Sequence, residues 1–124
     1  MSRVLIVSSD PAERRRAGSA LALRQDVDVV EVDGGAAAAD LLRTGGFDVL
    51  VVDGDIDAKG GFSWLYELRE QGELRDEHRP PAVVLVSREE DRFLAEWSGA
   101  EAMVFKPADG FAVADRVAEL AAGA

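Results

Sequence analysis

Three side chains stand at matching places in this sequence, each directly after a short apolar run. Asp53 follows residues 49–52, Ser87 follows residues 82–86 and Lys106 follows residues 102–105. Brought to one edge, a carboxylate, a hydroxyl and an ammonium can hold a phosphoryl group. Asp53 would be the nucleophile that forms an acyl phosphate, Ser87 a donor to a phosphoryl oxygen and Lys106 a fixed cation. Singly, each has a plainer reading: a strand-end Asp or Lys in an acidic chain is usually a solvated loop charge, and serine after a strand is common. Their recurrence at equivalent positions carries the argument.

The elements that must position them read as strands alternating with helices. Residues 4–7, 27–32, 49–52, 82–86 and 102–105 are apolar, strand-favouring runs. Residues 49–52 carry no polar alternation, as expected of a strand covered by helices on both faces. The second run, interrupted by Asp28 and Glu31, is expected to be more exposed. Asp10, Pro11 and Glu13 read as N-cap, first helical residue and capping-box partner of a helix running to Arg24. Further helices are expected over residues 36–43, 62–71 and 89–98, with a last one capped by Asp109. Arg14, Arg15 and Arg16 read as a solvated basic face.

Five strands alternating with five helices predict an α/β fold: a five-stranded parallel doubly wound sheet with helices on both faces, in the flavodoxin-like order 2-1-3-4-5. That order sets the first and third strand ends side by side. Ser8, Ser9 and Asp10 are therefore expected to face Asp53, flanked by Ser87 and Lys106.

Bulk properties exclude several classes. A chain of 124 residues, 48% hydrophobic, suits one domain over residues 1–124. A net charge of −10 argues against binding nucleic acid or anionic membranes. Without cysteine and with a single histidine, His78, there is no thiolate chemistry and no zinc cluster. The apolar start is too short for a signal-peptide core or a membrane span, so a cytoplasmic setting is expected.

The motifs VLIVSSDP, FDVLVVD, VVLVS and GAEAMVFKP, in that order, resemble the receiver domain of bacterial two-component response regulators, the CheY-like family, over essentially the whole chain. The resemblance implies that Asp53 is the phosphoacceptor position, Ser87 the switch hydroxyl, Lys106 the family's lysine and Gly61 the glycine ending the active-site loop. It also exposes departures. The paired acids that hold Mg²⁺ in the family correspond to Ser8 and Ser9, with Asp10 one position beyond; the switch aromatic corresponds to Met103; the residue after the switch hydroxyl is Arg88; and Asp57 stands at the place of the loop's usual proline.

Mg²⁺ prefers carboxylate oxygens, so it is expected to bind weakly or not at all, with Asp55 and Asp57 as conceivable replacement ligands. Each unit of opposing charge at ~4 Å is worth roughly 4 kcal/mol at an effective dielectric near 20, so losing a divalent ion slows transfer on the order of a thousandfold or more.

Two readings within signalling follow: an atypical receiver acting through protein contacts, or a competent phosphoacceptor receiver using Asp53. Neither makes the chain an enzyme beyond self-phosphorylation from a phosphodonor. The expected partner is a histidine kinase or other signalling protein, with homodimerisation through the fourth helix, fifth strand and last helix also implied. A remote third reading rests on Asp53-Gly54-Asp55, the DxD form of aspartate-nucleophile phosphatases. Trp64 and Trp97 read as packing residues by default. At least one is expected to be exposed, as tryptophan is enriched at binding hot spots.

Overall fold

The computed structural model describes residues 2–56, 60–74 and 79–123. Five strands, β1 (Ser2–Val7), β2 (Val27–Val32), β3 (Val49–Asp53), β4 (Ala82–Val86) and β5 (Ala102–Phe105), alternate with helices α1 (Pro11–Gly18), α2 (Gly35–Thr44), α3 (Gly61–Leu74), α4 (Arg92–Trp97) and α5 (Gly110–Ala122). All neighbouring strands pair in parallel, in the order β2-β1-β3-β4-β5. This is the predicted doubly wound fold.

Successive strand residues point to opposite faces, which divides the core in two. Val4, Ile6, Val49, Val51, Val83 and Leu85 pack against Ala17 of α1 and Val113 and Val117 of α5. Leu5, Val7, Leu50, Val52, Val84 and Val86 pack against Ala38 of α2, Leu65 of α3 and Ala95 of α4. Every residue of β3 and β4 is buried, whereas Asp28 and Glu31 emerge from β2 at the sheet edge. The apolar runs of the centre and the broken run at the edge thus follow from how many faces each strand must hide.

Two helices differ from expectation. The first ends at Gly18 rather than continuing to Arg24, and a separate 3-10 turn covers Leu21–Leu23. Glycine is a poor helix former, and the Ser19 hydroxyl donates back to the Arg16 carbonyl at 3.0 Å, competing with the helical ladder. Ala17, Ala20 and Leu21 are nevertheless buried as expected. The predicted helix over 89–98 divides into a 3-10 turn, Glu89–Asp91, and α4.

The buried side of that segment is Asp91, Ala95 and Ser98, which leaves Phe93 and Trp97 outward, 67% and 46% exposed. The default of core packing is thus overturned for Trp97, while the expectation of an exposed tryptophan holds. The Trp97 ring stacks on Tyr66 of α3, with centroids 4.4 Å apart.

Candidate functional site

Backbone pairing sets the strand ends that carry the site. Ser8 N–H donates to Val32 O at 3.1 Å, Gly54 N–H to Leu85 O at 2.9 Å, and Lys106 N–H to Val86 O at 2.8 Å. The turn after β3 is anchored by the buried Ile56 side chain and closed by Gly61 N–H donating to Gly54 O at 2.9 Å. A Cβ at Gly61 would lie 2.2 Å from the Asp53 carbonyl oxygen, so only glycine lets α3 start this close to the strand end.

Asp53 is enclosed, with 2% of its surface exposed, and both of its carboxylate oxygens are engaged. Oδ2 accepts from the buried Ser8 hydroxyl at 2.7 Å. Oδ1 accepts from the Asp55 backbone N–H at 2.9 Å and forms an ion pair with the Lys106 ammonium. A buried carboxylate stays charged only when donors and an opposite charge replace its water, and Ser8, Lys106 and the loop amide supply them.

The Lys106 ammonium also contacts Asp55 Oδ2 at 2.8 Å, and the Ser87 hydroxyl donates to that same oxygen. Hydrogen bonds from Lys106 first, and then from Ser87, hold the Asp55 carboxyl below the usual aspartate range. Burial draws the Lys106 pKa down, but hydrogen bonds and charge from Asp53 and Asp55 outweigh it and leave the ammonium above its ordinary value.

Not every expected residue joins this group. Ser9 is exposed. Asp10 faces its own helix, its Oδ1 accepting from Ala12 N–H at 2.9 Å, and so acts as the cap. Ser87 meets Asp55 rather than Asp53. Arg88 turns to Asp91, 3.1 Å away, and reaches the site only as a distant positive charge on Asp55. Met103 is half-buried and packs on the α2–α4 side of the sheet. Asp57 lies outside the described residues.

The described carboxylates at the end of β3 are engaged by protein donors. Among the described residues no three acidic or histidine side chains come together to hold a metal ion. Asp53 is bonded to Ser8 and Lys106, and Asp55 to Ser87 and Lys106. An ammonium between the two carboxylates supplies the positive charge that a divalent ion would otherwise bring.

Two residues support the site in ways their sequence reading did not give. Glu13 is buried, but not as a capping-box partner, because Ser8 Oγ already accepts from Asp10 N–H at 3.2 Å. Its Oε1 accepts instead from Ala108 N–H at 2.8 Å, tying α1 to the segment after Lys106, while Oε2 pairs with Arg16 at 2.6 Å. Arg14 donates to the Ser8 carbonyl at 2.6 Å and lies 3.6 Å from Glu31, so it braces the site rather than facing solvent freely. The Asp-to-Glu spacing alone could not separate a capping box from a longer reach.

Residues 4–118 match the family model of the response regulator receiver domain. An uncharacterised response regulatory protein of Mycobacterium tuberculosis is 35% identical over 112 residues, spanning 86% of this chain and 81% of that protein. The Francisella response regulator 1452 receiver domain superposes with a TM-score of 0.84 at 22% identity, covering 99% of this chain and 98% of that one. A chain from the co-crystal of the Saccharomyces cerevisiae histidine phosphotransfer signalling protein Ypd1 with the receiver domain of Ssk1 gives 0.86 at 18% identity, covering 98% and 89%. At these low identities the two structures speak for the fold alone, whereas the matched residues reach from β1 into α5. The chain belongs to the response regulator receiver domain family and so to two-component signalling.

Proposed function

We propose that this chain is an atypical receiver, in which Asp53 occupies the phosphoacceptor position but is poorly served by Mg²⁺, and which signals chiefly through protein contacts. The observation that carries this reading is the pairing of Asp53 with the Ser8 hydroxyl and the Lys106 ammonium, with serines directly after β1 and Asp10 turned to cap α1. In phosphotransfer from a phosphohistidine the N–P bond breaks as an O–P bond to Asp53 forms, leaving about two negative charges at the site. Among the described residues Lys106 is the cation in contact with Asp53, and it is already shared with Asp55.

The contact surface is read from exposed aromatics. Phe93 and Trp97 on α4, Phe105 at the end of β5 and Phe111 at the start of α5 all emerge to solvent. Large aromatics are favoured anchors at protein interfaces. A histidine kinase or a histidine phosphotransfer protein, the kind of partner that accompanies Ssk1 in its co-crystal, fits the family, and a second copy of the chain is the other candidate for this face.

A competent phosphoswitch is the second reading, favoured by the convergence of Asp53, Ser87 and Lys106 at adjacent strand ends. The two separate on exposure to acetyl phosphate with millimolar Mg²⁺, followed by intact mass with Asp53→Asn as control. The atypical reading expects little or no gain of a phosphoryl group. Stoichiometric, Asp53-dependent phosphorylation overturns it.

A further inference from the structure

We infer that the Asp55 carboxylate is a built-in anion that occupies the place of a phosphoryl oxygen in the unmodified protein. The inference rests on the assignment of Asp53 as the phosphoacceptor position. A phosphoryl group on Asp53 would call on a hydroxyl donor and a cation placed just beyond the carboxylate. In this chain one oxygen already has both: Asp55 Oδ2 accepts from Ser87 Oγ and from Lys106 Nζ, and that same ammonium pairs with Asp53 Oδ1. Asp55 is two residues beyond Asp53, and its backbone N–H is bonded to Asp53 Oδ1 at 2.9 Å, so the loop itself delivers the carboxylate to this point.

Exposure distinguishes the two carboxylates. The Asp53 side chain is 3% exposed, whereas that of Asp55 is 57% exposed and borders water. Asp55 is therefore displaceable, held by contacts that any incoming anion must take over. It acts in two ways through one contact. It draws the Ser87 hydroxyl to the strand edge without a phosphate, and it competes with a phosphoryl group for Ser87 and Lys106. Its own negative charge opposes the arrival of a second anion in the same place.

Beryllofluoride tests this directly, because an Asp53 carboxylate oxygen takes the fourth position on beryllium in place of a fluoride or water, and the fluorides then occupy the positions of phosphoryl oxygens. The apparent Kd is measured by tryptophan fluorescence and ¹⁹F NMR, with and without Mg²⁺, for the whole chain and for Asp55→Asn, Asp55→Ala and Asp53→Asn. Two substitutions are used because asparagine keeps an acceptor at the same reach while alanine removes it; the exposure of Asp55 leaves either variant able to fold.

The inference expects both Asp55 variants to bind at least about tenfold more tightly than the parent chain, about 1.4 kcal/mol, with binding abolished by Asp53→Asn. Unchanged or weaker binding in both variants, including no binding by any of the proteins, overturns the inference and leaves the atypical reading standing. Tight Mg²⁺-dependent binding by the parent chain overturns the atypical reading, and the inference then stands or falls on whether the Asp55 variants bind tighter still.

Discussion

The Ser8 hydroxyl donates to Asp53 Oδ2 across 2.7 Å with both residues enclosed. Ser8→Ala leaves that oxygen without its side-chain donor in a buried setting and is expected to destabilise the fold by about 1–3 kcal/mol. Ser8→Asp sets a second carboxylate against the first and is expected to lose roughly 3 kcal/mol or more in a chelator. Millimolar Mg²⁺ recovers much of that loss by binding the new pair. Denaturant titrations with and without Mg²⁺ check both, and a Ser8→Asp variant indifferent to Mg²⁺ contradicts the assignment of this position.

Lys106 neutralises two carboxylates, one of them enclosed. Lys106→Ala is expected to destabilise by about 3–5 kcal/mol, because the Asp53 charge is left buried without its partner. Adding Asp53→Asn to Lys106→Ala should restore part of that stability. A double-mutant cycle measures the coupling, and simple additivity of the two losses argues against the ion pair.

The Asp55 bridge has a defined pH window. Its carboxyl is held below the ordinary value of 3.8, so its stabilisation is present above that value and is lost as pH falls through the lower folded value. Lys106 is raised above 10.5, so its contribution is present below that value and is lost as pH rises through the higher folded one. The stability difference between the parent chain and Asp55→Asn should be within about 1 kcal/mol, as fits an exposed partner. It should stay flat between about pH 5 and 9 and shrink outside the two limits. Paired denaturation curves across pH test this.

Gly61 starts α3 against the Asp53 carbonyl, where a Cβ would meet backbone at 2.2 Å. Gly61→Ala is expected to cost roughly 1–3 kcal/mol, towards the upper end because backbone yields less readily than a flexible side chain. It should also shift the Asp53 carboxylate, seen as chemical-shift changes at Ser8 and Lys106 by NMR. A fully tolerated alanine contradicts the close approach.

The fold was legible because its signals are strong and local. Runs such as residues 49–52 can be hidden only inside a two-faced parallel sheet, and the acids of β2 mark an edge. Strand order then brought Ser8, Asp53, Ser87 and Lys106 to one side of the sheet. What escaped was decided by side-chain reach. Asp10 and Glu13 spell a capping box, yet Ser8 takes the Asp10 amide and frees Glu13 to cross to Ala108. Asp55 read as a conceivable replacement metal ligand, and its bonds to a lysine and a hydroxyl within reach could not be foreseen from spacing. On α4, Trp97 read as a packing residue, but Asp91, Ala95 and Ser98 follow helical spacing and are small enough to lie against the sheet, which leaves Trp97 and Phe93 outward.

In the proposed reading, Ser8 and Lys106, rather than a divalent ion, complete the surroundings of Asp53. The most direct measurement is the thermal unfolding midpoint across a Mg²⁺ titration into the millimolar range, compared with Asp53→Asn at matched ionic strength. The account predicts the same flat response in both proteins. A saturable rise in the parent chain that vanishes in Asp53→Asn, following the logarithmic dependence of ligand linkage, would contradict it.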